Sequence, residues 1–190
     1  MNSRILALSL LVATCISCHD AQRARALYRV GRPATADEIQ RRAISVARDG
    51  TGLPPGHGTV EEGRNIYTAS CASCHGDRGQ GAGDYPQLVG GVGSLKSSRP
   101  ILTVGSYWPY ATTIWDYTRR AMPYQRPGTL TPNETYALTA YLLHMNGILD
   151  EKAELNEKTL PKVKMPNRDG FVLEPHPSVP PIAATYDISP

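Results

Sequence analysis

The sequence predicts an all-α fold in which three to four helices surround one central site, with long irregular extensions at both ends. One helix start is marked by a capping box, in which Thr59 is followed three residues later by Glu62. A second box at Thr131 and Glu134 has proline at the first helical position and opens a helix predicted over residues 132–146. The 17 glycines and 16 prolines predict that much of the remaining chain is loop. Apolar residues of the second helix recur at helical spacing, at Ala137, Tyr141, Met145 and Ile148.

The composition of the chain argues against one class of function, the binding of nucleic acids. A chain of 190 residues is long enough for one domain with a real core. The net charge is only +3, and the lysines and arginines are scattered along the chain. We therefore expect no nucleic-acid partner, because such proteins concentrate basic residues on one surface.

The first residues have the layout of a secretory signal. Residues 1–4 form a short basic segment, and residues 5–13 form an apolar run. This run is far shorter than the about 20 apolar residues that a helix needs to span a bilayer. We predict a signal peptide over residues 1–18 and a periplasmic mature protein. Cys15 follows "LVAT", which loosely resembles a lipoprotein processing box, so simple cleavage and a lipid anchor both stay open.

The motif Cys-x-x-Cys-His, the attachment signal of c-type haem, occurs twice. The copy "CISCH" at residues 15–19 lies where the signal peptide is expected to be cut, and we interpret it as a chance match. The copy "CASCH" at residues 71–75 ends a helix predicted to begin near Val60, and a glycine-rich segment follows it. One haem per chain is therefore expected.

The spacing of the second copy fits the chemistry of haem attachment. Two thiols three positions apart, Cys71 and Cys74, can reach the two vinyl groups on one edge of a porphyrin. The adjacent imidazole of His75 can then reach the iron. A disulfide between the two cysteines would leave the histidine unexplained, so we predict one covalent haem c at these three residues.

The iron needs a sixth ligand or an open face. Met122 is favoured because Pro123 ends the helix predicted over residues 109–121, and a methionine at such a break can turn toward the cofactor. Met165, also followed by proline, is the second candidate, in a segment expected to be polar tail. The other candidates are Met145, expected in the core, and His57, His144 and His176.

Residues 57–149 resemble class I cytochromes c, through "GRNIYTASCASCHG", "YPQLVGG", "RRAMP" and "ETYALTAYLLHMNG". The resemblance implies a haem domain of three to four helices around one covalent haem. It also implies His75 as proximal ligand, Met122 as distal ligand, and the carbonyl of Pro86 as acceptor of a hydrogen bond from His75.

A narrower resemblance covers most of the mature chain. "GRPATADEI", "DGTGLPPGHGTVEEG", "GSYWPYATTIWDYTRRAMPY" and "KMPNRDGFV" are similar to the cytochrome subunits of sulfane dehydrogenases. The resemblance implies a redox partner with molybdenum and a role in sulfur oxidation. The well-known members carry a second haem domain, whereas this chain has one convincing site.

A haem with both axial positions filled has no place for a substrate, so we expect an electron-transfer protein and not an enzyme. Two alternatives stay open: a free electron shuttle to a terminal oxidase, and a peroxidase-like haem enzyme with a labile sixth ligand. Candidates to hold the haem propionates are Arg99, Tyr107 and Trp108.

The flanks complete the predicted organisation. Residues 19–56 form a basic N-terminal extension, with a capping box at Thr35 and Glu38 that predicts a short helix over residues 36–43. Residues 150–190 form an acidic tail without hydrophobic periodicity, predicted to be irregular. The opposed charges could dock a partner enzyme.

Overall fold

The computed structural model describes residues 31–172. The predicted signal peptide, its "CISCH" motif and His176 therefore lie outside the described residues. None of the helices within residues 31–172 combines the length and apolar character needed to cross a bilayer. In chain order the elements are α1 (Ala36–Arg42), β1 (His57–Thr59), α2 (Val60–Ser70), α3 (Ala72–His75), α4 (Ala111–Ala121), α5 (Pro132–Met145) and β2 (Glu154–Asn156), with 3-10 turns at Ser94–Lys96 and Leu160–Lys162.

The chain divides into two compact units, and the first ends at Arg42. Helix α1 belongs to this unit and begins as predicted, because the Glu38 N–H donates to the Thr35 hydroxyl over 3.2 Å and the Thr35 N–H donates to the Glu38 carboxylate over 2.9 Å. An ion pair with Arg32 lowers the pKa of Glu38 to about 2. The helix ends one residue earlier than predicted.

Both capping boxes of the second unit are formed. The Thr59 hydroxyl accepts from the Glu62 N–H over 3.2 Å, and the Thr59 N–H donates to the Glu62 carboxylate over 2.8 Å. The same reciprocal pair joins Thr131 and Glu134 at the start of α5. These bonds satisfy amides that would otherwise be unpaired, which is why α2 and α5 begin where the sequence predicts.

Helices α2 and α5 cross at very close range. A Cβ atom added at Gly63 would lie 1.9 Å from the carbonyl oxygen of Ala137, so only glycine permits this approach. One turn further along α2, the ring of Tyr67 meets the ring of Tyr141 edge to face, with centroids 5.4 Å apart. A glycine and an aromatic residue one turn apart on α2 therefore form its contact with α5.

The core lies between α2, α4 and α5. Its largest fully buried members are contributed by α2 and, above all, by α4 and α5, where Trp115 packs against Tyr136 with ring centroids 5.3 Å apart. Burial of this set supplies the main driving force for folding. The central apolar residues are Val60, Tyr67, Trp115, Tyr136, Leu138 and Leu143.

The segment after residue 149 differs from the prediction of an irregular tail. Strand β2 pairs antiparallel with β1, so that Gly58 faces Leu155 and His57 faces Asn156. Leu155, Leu160 and Met165 are all buried in the core. Their five-residue spacing matches neither the helical nor the strand period, which explains why the sequence pattern did not reveal them.

The N-terminal extension also contributes to the packed unit, which begins at Ala43. The Val46 N–H donates to the carboxylate of Asp116 over 3.0 Å, and the Thr112 hydroxyl donates to the carbonyl of Arg48 over 3.1 Å. Helix α4 is thus covered by chain that precedes residue 57, and the compact unit extends beyond the predicted limits of 57–149 on both sides.

Candidate haem site

A cavity of about 470 Å³ opens between α2, α3, α4 and α5. Its volume lies within the range of about 300–1,000 Å³ that is usual for small-molecule sites. No aspartate, glutamate, lysine or arginine of residues 31–172 lines the cavity. The walls are mostly aliphatic and aromatic, which suits a large, flat and largely apolar cofactor.

The predicted attachment residues lie at one wall of this cavity. Helix α2 ends at Ser70, the backbone leaves the helical conformation at Cys71, and α3 then carries Cys74 and His75 into the lining. Cys71 and Cys74 are free, half-buried thiols, so both sulfurs are open to thioether bonds. Burial raises the pKa of the Cys71 thiol to about 11 and that of the Tyr67 phenol to about 12. Both groups therefore keep their protons at neutral pH.

His75 is oriented by the loop that follows it. Its Nδ1 atom lies 2.9 Å from the carbonyl oxygen of Pro86, the contact that the family resemblance implied. Because a carbonyl oxygen can only accept, Nδ1 carries a hydrogen, and in the neutral imidazole the lone pair then lies on Nε2. The imidazole is thus in the tautomer that a metal ligand requires, with the orienting second bond that metal-binding histidines usually make.

Met122 reaches the same cavity from the end of α4. Its N–H still donates to the Thr118 carbonyl over 3.0 Å, but its backbone is extended, with φ −123° and ψ 151°. Pro123 follows and cannot continue the helix. The thioether therefore lines the cavity that also receives His75.

The other candidates for the sixth ligand lie elsewhere. Met165 is in the core and not in a polar tail, with only 3% of its surface exposed, and Met145 packs beside that core. The His144 Nδ1–H donates to the Leu149 carbonyl over 3.0 Å, and His57 is exposed on β1. Among the methionines of residues 31–172, only Met122 lines the cavity.

Of the three residues predicted to hold propionates, only Trp108 lines the cavity; Tyr107 and Arg99 do not. Sequence reasoning also missed the tyrosines of the lining, which are Tyr67, Tyr85, Tyr117 and Tyr124. The available signals were weak, although Tyr124 stands two residues after Met122.

The residues present fit a covalently held haem. The cavity brings together two free thiols at the attachment spacing, an imidazole with its Nε2 lone pair available, and a thioether. Nitrogen and soft sulfur donors are the axial ligands of electron-transfer haem iron. A helical domain with these groups around one apolar cavity defines the c-type cytochrome class.

Comparison with known proteins agrees with the assignment of this chain to the c-type cytochromes. The Cytochrome c family model matches residues 60–146. The structure is similar, with a TM-score of 0.74 and 42% identity, to a chain in the crystal structure of the sulfane dehydrogenase SoxCD from Paracoccus pantotrophus. The match covers 78% of this chain and 73% of that chain. The chain therefore belongs to the cytochrome c family as a class I c-type cytochrome, and its cofactor is covalently bound haem c.

A shorter match adds a second relative. Over 33 residues the chain is 52% identical to cytochrome c-554(547) of Halothiobacillus neapolitanus, which covers 17% of this chain and 36% of that protein. The aligned part thus spans about a third of that relative's length.

Proposed function

We propose that this protein is a periplasmic monohaem cytochrome that passes single electrons as the cytochrome subunit of a molybdenum-dependent sulfur-compound dehydrogenase. The observation that carries the electron-transfer role is the cavity lining, in which an imidazole and a thioether are available as axial ligands. The sulfur-oxidation role is supported by the similarity to SoxCD, at 42% identity over 78% of the chain.

The residues have distinct roles in this proposal. Cys71 and Cys74 would hold the haem through two thioether bonds. His75 would bind the iron through Nε2, and Met122 would bind it through its sulfur. Haem c, when bound, supplies one-electron chemistry, because its iron is stable in the ferrous and ferric states.

The protein's own groups set how easily the electron is given up. The soft thioether of Met122 favours the ferrous state, and a lining without charged side chains disfavours the additional positive charge of the ferric state. Both effects raise the reduction potential. With both axial positions filled by side chains, no substrate can reach the iron, so the sulfur chemistry belongs to the partner.

The electron leaves through the rim of the cavity. Tyr85, Leu102, Tyr117 and Tyr124 line the cavity and are 48%, 53%, 47% and 76% exposed. A partner that docked on this rim would contact residues that also line the cofactor cavity. Such redox encounters usually have small, transient interfaces.

The experiment is a reduction assay with a purified molybdenum subunit of a sulfane dehydrogenase. We expect the two proteins to co-purify when coexpressed, and the ferrous haem bands to appear when a reduced sulfur compound is added to both. Reduction that requires the partner but occurs without stable association would indicate a free shuttle. Peroxide turnover by the cytochrome alone would indicate a peroxidase-like enzyme instead.

A further inference from the structure

Tyr67 connects the middle of α2 to the residue that follows His75. Its hydroxyl donates a hydrogen bond to the carbonyl oxygen of Gly76 over 2.7 Å. Both residues are buried, and only 1% of the surface of Tyr67 is exposed to solvent. Gly76 ends α3 with a φ of +79°, a conformation that favours glycine, so the chain turns sharply directly after the histidine.

This hydrogen bond acts together with two other bonds to fix the chain around His75. The Gly81 N–H donates to the His75 carbonyl over 2.7 Å, and His75 itself donates through Nδ1 to Pro86. The first two bonds hold the backbone on the carboxyl side of the histidine, and the third holds the ring. The Tyr67 bond is the one made by a side chain from another helix.

We infer that Tyr67 is a positioning residue for His75: its hydroxyl anchors the turn at Gly76 and thereby keeps the imidazole aligned with the carbonyl of Pro86. The inference rests on the proposed role of His75 as an axial ligand. In this role Tyr67 acts on His75 through the backbone, by its hydrogen bond to the Gly76 carbonyl.

A change in this alignment would alter the electronic properties of the site. A strong Nδ1–H···O bond makes the imidazole a better electron donor, which stabilises the ferric state. Loss of the Tyr67 hydroxyl leaves the buried Gly76 carbonyl with the Gly79 N–H, at 3.1 Å, as its donor and removes the link from α2, so the turn can shift. A weaker bond to Pro86 would therefore raise the reduction potential.

The test compares Tyr67→Phe with Tyr141→Phe. Tyr141 is a matched control because its ring packs on Tyr67, while its hydroxyl makes no hydrogen bond within residues 31–172 and it lies outside the cavity lining. The readouts are the reduction potential and the hydrogen exchange of the His75 Nδ1 proton in the ferrous protein, measured by NMR. We expect Tyr67→Phe to speed this exchange on the order of tenfold and to raise the potential.

The control should change neither readout. Wild-type exchange and potential in Tyr67→Phe would overturn the inference, even if that variant unfolded at a lower temperature. Failure of the proposed function is recognised separately, because wild-type protein would then lack the NMR signature of an axial histidine.

A measurement on the wild-type protein gives the same answer if Tyr67→Phe does not fold. The Tyr67 hydroxyl proton and the His75 Nδ1 proton should exchange through one common opening, with the same dependence on denaturant. Clearly different dependences would contradict the inference.

Discussion

The Nδ1 atom of His75 and the carbonyl oxygen of Pro86 lie 2.9 Å apart, although the two residues are 11 positions apart in the chain. The glycine-rich segment between them makes this possible, because the Leu88 N–H donates to the carbonyl of Gly79 over 2.7 Å and closes the loop on itself. The loop thus provides an acceptor for Nδ1 of His75, a residue that lines the cavity, and Nε2 takes no part in this bond.

The sixth ligand can be tested with two methionine variants. We expect Met122→Ala to lower the reduction potential and to let carbon monoxide bind the ferrous iron, because an axial sulfur is removed. Met165→Ala should do neither, but its buried position predicts a loss of about 2–5 kcal/mol in the free energy of unfolding. Redox titration, carbon monoxide difference spectra and denaturant unfolding measure these effects. The opposite pattern would assign the ligand to Met165.

Haem content tests the attachment site. We expect one haem per mature chain in a pyridine haemochrome assay with protein quantitation, and no covalent haem in a Cys71→Ser, Cys74→Ser double variant. Two haems per chain would show that the motif at residues 15–19 is functional. Covalent haem retained in the double variant would lead to the same conclusion.

The close crossing of α2 and α5 predicts that Gly63→Ala is destabilising. The added Cβ would lie 1.9 Å from the Ala137 carbonyl oxygen, so the helices must separate. We expect a loss of about 1–3 kcal/mol in the free energy of unfolding. Asn65→Ala, at an exposed position of the same helix, is the control and should be neutral or slightly stabilising. Equal stability of the two variants would contradict the close approach.

Stability should depend on the two capping carboxylates at acid pH. Hydrogen bonds from the backbone and hydroxyl of Thr59 lower the pKa of Glu62, and those of Thr131 lower the pKa of Glu134. Because the folded pKa values lie below the ordinary value of 4.5, this stabilisation is complete above pH 4.5 and is lost as the pH falls through the lowered values.

A double variant, Glu62→Gln with Glu134→Gln, separates this effect from other acid-sensitive groups. Glutamine keeps the capping hydrogen bond but does not titrate. The free energy of unfolding should therefore fall less steeply between pH 4.5 and pH 3 in the double variant than in the wild type, as followed by denaturant titrations. Parallel curves would show that these two carboxylates do not contribute.

The segment after residue 149 can be tested as part of the core. Leu160 is fully buried, and Leu160→Ala should reduce the free energy of unfolding by about 2–5 kcal/mol. Lys164→Ala, four residues further on and exposed, should leave it nearly unchanged. If Leu160→Ala left the free energy of unfolding unchanged, this segment would be dispensable for stability, as the sequence pattern first indicated.

The helices and the attachment residues could be predicted because their signals are local. A capping box at Thr59 and Glu62 fixes a helix start by itself, and the Cys-x-x-Cys-His spacing encodes the haem chemistry in five residues. Met122 was predictable because Pro123 must end α4, although its assignment as ligand stays a prediction.

The remaining features depend on contacts between distant residues. Strand β2 exists because Leu155 packs into the core opposite Gly58, and three-residue strands carry no periodic signal of their own. The hydrogen bond from Tyr67 to Gly76 needs the turn after α3 to be in place, so the chain pattern alone could not reveal it.

The absence of charged side chains in the cavity lining of the described chain has a kinetic consequence. Electron transfer is slowed when surrounding dipoles and mobile ionic groups must rearrange each time the charge on the donor changes. Walls made mostly of aliphatic side chains and aromatic rings have little to rearrange. This pocket therefore favours a low reorganisation energy, so that an electron can be received and passed on with a small driving force.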